Sequence, residues 1–167
     1  RKEILDFNEL INETKESENR KPLLDGPLNI EKYFNAKIKI VWLLKEGYEE
    51  KNGDGGGWNY SEDVGLFPEK YILTRSGATW KKITYTSYGV LNGFKKWNDI
   101  PDVSKDNLEL FANDLRSIAI VNINKLPALA QTKSPEKNVS NAYERYKELL
   151  KQQIAILKPN VVICGGT

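Results

Sequence analysis

The chain has 167 residues, 40% hydrophobic and 29% charged, with a net charge of +2. That length supports one domain, residues 1–167, with a proper core, and no apolar run approaches the ~20 residues of a membrane span. With no histidine and one cysteine, Cys164, these residues alone exclude Ser-His-Asp and Cys-His nucleophilic schemes, histidine zinc sites, an intrachain disulfide and a cysteine-ligated cluster.

The lone cysteine suits a reducing cytoplasm, and no signal-peptide pattern is present. Methionine is absent even at position 1, as expected of a fragment or of a sequence in which modified methionines were left out. Charge is unevenly distributed. Glu46, Glu49, Glu50, Asp54, Glu62, Asp63 and Glu69 crowd the stretch 46–70, whereas 74–98 carries Arg75, Lys81, Lys82, Lys95 and Lys96 and no acid. Such asymmetry bears on partners rather than on fold.

In chain order, the spacing of Ile4, Leu5, Asn8 and Ile11 predicts a helix over 2–16, and Asp25-Gly26-Pro27 predicts a turn. A short helix is expected over 29–35. Ile38 to Leu44 is apolar apart from Lys39 and rich in β-branched residues, which predicts a strand buried on both faces. It breaks into the acidic, glycine-rich and aromatic loop KEGYEEKNGDGGGWNY. Trp80, Ile83, Ser87, Tyr88 and Leu91 predict a helix from Thr79 that stops at Gly93. Ser104 is the expected cap of another helix, with the stripe Leu108, Phe111, Ala112 and Leu115. Ser117 to Ile123 predicts a second strand. Beyond Pro127 a long polar loop leads to Ser140, the expected cap of a helix whose face is Tyr143, Tyr146, Leu150, Gln153, Ile154 and Leu157. Lys158-Pro159 ends that helix, and Asn160 to Cys164 predicts a third strand.

Strands separated by helices imply right-handed crossovers and a parallel sheet covered on both faces. A three-layer α/β/α sandwich with a short central parallel sheet is therefore expected. A strand followed by Gly165, Gly166 and Thr167 ordinarily opens into a further loop and helix, so the chain reads as incomplete at its carboxyl side. The strand ends Lys45-Glu46-Gly47, Asn122 to Lys125 and Gly165-Gly166-Thr167 gather on one edge of such a sheet, the default ligand site.

The order of these strand ends resembles the uracil-DNA glycosylase superfamily, most closely over Ser117 to Thr167 and more loosely over Lys37 to Tyr60. IVWLLKEGY is similar to the strand that leads into a Gly-Glu-Ala-Pro-Gly or Gly-Gln-Asp-Pro-Tyr loop, VNINKLP to the Asn-bearing NVVKCRP segment, and ILKPNVVICGGT to the strand LKPxVVxxLGxxA. The resemblance implies a DNA-repair hydrolase that cleaves the N-glycosidic bond of a flipped uracil or related base. It puts Glu46 in the place of the water-directing acid and Asn122 in the base-reading place. The family's terminal His motif would lie beyond Thr167. Lys45 and Tyr48 stand where the family has Gly and Pro, and Leu126 where cluster-binding relatives have Cys, so no iron-sulfur cluster or other cofactor is expected.

The residue types suit that chemistry. A carboxylate at Glu46 can orient or deprotonate water and counter the charge of an oxocarbenium-like sugar; the alternative is a solvated loop acid. Asn122 offers the donor and acceptor that a uracil edge demands, or it satisfies backbone groups; Asn124, two residues on, competes for the role. Trp58 and Tyr60, after Gly55-Gly56-Gly57, can stack on a base or anchor the loop to the core. Gly47, Gly165 and Gly166 complete the strand-end loops. Lys81, Lys82, Lys125, Lys133 and Ser134 are candidates for the DNA backbone, single-stranded or uracil-containing. Trp80, Tyr85, Tyr88, Phe94 and Trp97, interleaved with the basic stretch, either stack bases or fill the core. The glycine-rich loop lacks the GKS or GKT of a phosphate-binding loop and the acid spacing of a calcium loop. The rival reading is a non-catalytic α/β domain that binds a nucleotide or other small metabolite at the same edge; a third is a purely interacting domain whose 47–60 loop fills the strand ends.

Overall fold

A computed structural model describes residues 3, 21–48, 56–73, 78–128 and 136–165. The anticipated helix over 2–16 lies outside these residues except for Glu3, which is helical. The sheet has four strands, β1 (Gly26–Pro27), β2 (Ile40–Leu44), β3 (Ala119–Asn122) and β4 (Val161–Cys164), in the order β1-β3-β2-β4. β2 pairs in parallel with β3 and with β4, with Val41 opposite both Ala119 and Val162. β1 pairs antiparallel with β3. The sheet is therefore mixed rather than parallel, and the expected turn at Asp25-Gly26-Pro27 is an edge strand. Pro27 is tolerated there because an edge leaves one side of the backbone without ladder duties.

Alternation along the strands splits the core in two. Ile40, Trp42 and Ile120 face Val64, Ile83 and Leu115, whereas Val41, Ala119 and Val121 face Tyr33, Ala142, Tyr146 and Leu150. The first face is covered by α2 (Tyr60–Asp63), α3 (Pro68–Leu73), α4 (Ala78–Leu91) and α5 (Leu108–Arg116), which connect β2 to β3. The second is covered by α1 (Ile30–Asn35) and α6 (Glu136–Leu157), the latter connecting β3 to β4. Helices on both faces make three layers. On the second face of β4, Val162 is 47% exposed and Cys164 is exposed.

Side-chain hydrogen bonds tie the layers. The Trp42 indole donates to Ser87 Oγ at 3.0 Å, joining β2 to α4, and the Tyr33 hydroxyl donates to Leu157 O at 3.2 Å, joining α1 to α6. Two expected caps are corrected. α5 begins at Leu108 with Asn107 in the cap position, and Ser104 instead donates its backbone N–H to Asn107 Oδ1 at 2.7 Å. α6 begins at Glu136, so Ser140 is an exposed residue within the helix. Tyr143 is 46% exposed and does not belong to the buried face, which Ala142, Tyr146, Leu150, Gln153 and Leu157 form. The short helices α2 and α3 carry too few residues for periodicity to register. Asn59 caps α2, accepting from Ser61 N at 3.0 Å, and Pro68 opens α3 at the position where its missing N–H costs nothing.

Candidate functional site at the strand carboxyl ends

The connection leaving β2 runs over one face of the sheet and the connection leaving β3 over the other, the topology at which open α/β sheets place their ligands. Before parting, the two exits remain zipped together. Ile123 N donates to Leu44 O at 2.8 Å, Asn124 N to Lys45 O at 2.8 Å and Ala128 N to Gly47 O at 2.9 Å. That pairing puts Glu46 beside Asn124, whose Nδ2 donates to Glu46 Oε2 at 3.0 Å while its Oδ1 accepts from Leu126 N at 3.2 Å. Both ends of the Asn124 amide are thus committed. Glu46 Oε1 is buried and has no partner.

Asn122, at the end of β3, is wholly buried. Its backbone N–H donates to Asp25 Oδ2 at 2.6 Å and its Nδ2 lies 3.3 Å from the same oxygen. Reversing the amide would set its oxygen against the carboxylate, so the nitrogen belongs on that side. Asn122 Oδ1 is buried and has no partner. Two oxygen acceptors, a carboxylate oxygen just past the end of β2 and an amide oxygen on the last residue of β3, are therefore left open, although buried polar atoms in proteins are nearly always satisfied.

Asp25 is held by more than Asn122. Lys125 Nζ donates to both of its carboxylate oxygens at 3.0 Å and to Gln153 Oε1 at 2.8 Å, and Gln153 Nε2 donates to Asp25 Oδ1 at 2.7 Å. The side chains of Asp25 and Lys125 are 0% and 1% exposed. Burial pushes the Lys125 ammonium below its ordinary range, and the Asp25 carboxylate opposes that shift. Lys125 is therefore locked inside the protein, and its anticipated contact with the DNA backbone is corrected. Asp25 and Gln153 were not among the anticipated site residues. The legible signal was Gln153, a polar residue on the buried stripe of α6, which requires a polar partner.

Tyr60 opens α2 with its ring in the core and its hydroxyl beside the side chains of Asn122 and Trp58. Burial pushes its phenol up to about 12. At 9% exposure the ring presents no open stacking face, so the structure favours its role as an anchor. Trp58 is half-buried. Residues 56–60 run beside 21–24, where Leu24 N donates to Trp58 O at 3.1 Å and Tyr60 N to Leu24 O at 3.0 Å. Gly47 sits beneath them: a Cβ there would lie 2.6 Å from Leu23 Cδ1 and 3.2 Å from both Trp58 and Tyr60 Oη. A Cβ on Gly165 would lie 2.9 Å from Leu44 Cδ2 and 3.1 Å from Trp42 Cε3.

Lys81 and Lys82 are exposed on α4. Lys133, Ser134 and Gly166 lie outside the described residues. Among the described residues no group of three or more acids or cysteines is arranged to hold a metal ion, and no helix is long and apolar enough to cross a membrane. The chain matches no family model, and searches of curated proteins and of solved structures return no match.

Proposed function

We propose that the chain is a base-excision domain of the uracil-DNA glycosylase type, which receives a flipped uracil or related base at the carboxyl ends of β2 and β3. The observation that carries the reading is the pair of buried, unpartnered acceptors, Asn122 Oδ1 at the end of β3 and Glu46 Oε1 in the loop that leaves the neighbouring β2. Leaving such atoms unsatisfied costs about 1–3 kcal/mol each, and a site that awaits a ligand explains why they persist. Asn122 Oδ1 accepts an N–H from the edge of the base. Glu46, held through Oε2 by Asn124, keeps Oε1 for a water and opposes the positive charge that grows on the sugar. Trp58 stands against the Tyr60 hydroxyl, which itself lies beside Asn122. Asn122 is wholly buried with Tyr60 against it, so entry of a base requires the segment that carries Tyr60 to move.

That same coverage favours a second reading, a non-catalytic domain that closes over a free nucleobase, nucleotide or other small metabolite. One experiment separates the two. Protein is incubated with single-stranded and duplex oligonucleotides bearing one deoxyuridine, base release is read by alkaline strand cleavage, and free uracil is titrated calorimetrically. Release that is lost in Glu46→Gln and Asn122→Ala supports the glycosylase. Calorimetric binding without release supports the small-ligand domain, and neither release nor binding sinks both.

A further inference from the structure

The basic stretch on and after α4 divides its aromatic residues between inside and outside. Tyr85 and Tyr88 are buried against Phe111, and Trp80 packs on Tyr71 with ring centroids 5.2 Å apart. Phe94 and Trp97 turn outward, at 67% and 66% exposure. The two rings are three residues apart in sequence, and each leaves most of its surface in water. The Trp97 ring lies 5.7 Å from that of Tyr85, whose hydroxyl accepts from Val103 N at 3.0 Å. The chain reverses through Gly93 at φ 90 and Phe94 at φ 55, and Lys95 N donates back to Gly89 O at 2.9 Å. A bulky residue at positive φ is a backbone outlier that most sequences avoid by placing Gly or Asn there. Here the strained position is occupied by an exposed phenylalanine, and strain retained at an exposed apolar ring points to a use outside the fold.

Charge says what that use is. Lys95 and Lys96 lie between the two rings in sequence and are exposed, and Lys81 Nζ stands 5.8 Å above the Tyr85 ring that backs Trp97. From Ala78 to Asn98 the chain has no acid, and the first to follow is Asp99. The core of a protein-protein interface is depleted in lysine, whereas alternating aromatic faces and cations are what an unpaired polynucleotide requires: rings for its bases, ammonium groups for its phosphates. We propose that Phe94 and Trp97, flanked by Lys81, Lys95 and Lys96, form a stacking platform for single-stranded nucleic acid. The platform is separate from the strand-end site and does not depend on whether that site cleaves a glycosidic bond.

The test uses a fluorescein-labelled oligothymidylate of about 15 nucleotides, within the range that single-strand binders cover, and reads binding by anisotropy. The probe contains no uracil, so the readout stands whatever the outcome of the base-release assay. Binding to the single strand is expected to exceed binding to a duplex of the same length. Trp97→Ala is expected to weaken it by about 5-fold to 150-fold, the range for loss of one stacked base. Phe94→Gly removes the ring and the backbone strain together, so its thermal midpoint holds or rises while affinity falls, which separates binding from folding. Lys95→Gln with Lys96→Gln is expected to reduce the slope of log affinity against log salt by about 1.4, for two phosphate contacts. The proposal is overturned by no binding at low salt, by equal binding to the duplex, by unchanged affinity in Phe94→Gly and Trp97→Ala, or by sedimentation showing that the two rings hold a dimer instead.

Discussion

Removing either charge of the Asp25–Lys125 pair should damage the protein more than removing both. Lys125 Nζ is 3.0 Å from each Asp25 carboxylate oxygen, and both side chains are sealed from solvent. At that distance, with an effective dielectric constant of about 20, the attraction is roughly 5 kcal/mol, comparable with the several kcal/mol needed to desolvate each ion. The pair is therefore close to neutral as a unit. Its halves are not. Lys125→Met leaves a buried carboxylate with only the neutral donors of Asn122 and Gln153, and Asp25→Asn leaves a buried ammonium against two amides. Each is expected to cost about 3–5 kcal/mol. The double variant Asp25→Asn/Lys125→Met carries no buried charge, so it should cost less than either single, which places it more than about 3–5 kcal/mol above the sum of the singles, beyond the coupling usual for residues in contact. Urea unfolding of all four proteins, followed by circular dichroism, measures the cycle; if a single is unfolded in water, recovery of folding in the double gives the sign. Additive costs, or either single within about 1 kcal/mol of wild type, would refute the reasoning.

Three further outcomes follow from particular contacts. Gly65→Ala should prevent folding or cost more than about 4 kcal/mol, because its Cβ would collide with the backbone oxygens of Leu28 and Ser61, which cannot yield as a side chain does; the fraction folded by circular dichroism checks this. Ser87→Ala strands the Trp42 indole N–H inside the core, and the urea midpoint should report a loss of about 1–3 kcal/mol. Tyr60 keeps its proton in the folded protein up to about pH 12, whereas the unfolded chain releases it near 10.0. Stability present below pH 10 is therefore lost as the pH rises from 10 towards 12, at about 1.4 kcal/mol per unit. Tyr33, raised by burial in the same direction, adds to the loss. Tyr60→Phe should flatten that alkaline decline in urea midpoints, and an unchanged slope would count against it.

What the sequence determined by itself is what local periodicity and residue type decide. The β-branched run at β2, the apolar stretches at β3 and β4, and the stripes of α4, α5 and α6 were legible because each element buries a face whose spacing is written in consecutive residues. The gathering of Glu46, Asn122 and Asn124 at one sheet edge was legible for the same reason, since parallel strands joined by helices align their carboxyl ends. Tertiary structure alone decided the rest. Gly26-Pro27 reads as a turn until β3 offers it an edge to pair with. Lys125 reads as a surface cation until Asp25, a hundred residues away, and Gln153 close around it. Phe94 and Trp97 resemble their aromatic neighbours in sequence, and only the reversal at Gly93 turns them outward while Tyr85 and Tyr88 turn in. A buried ion pair and the facing of a ring past a turn depend on residues far apart in the chain, and no local pattern encodes that distance.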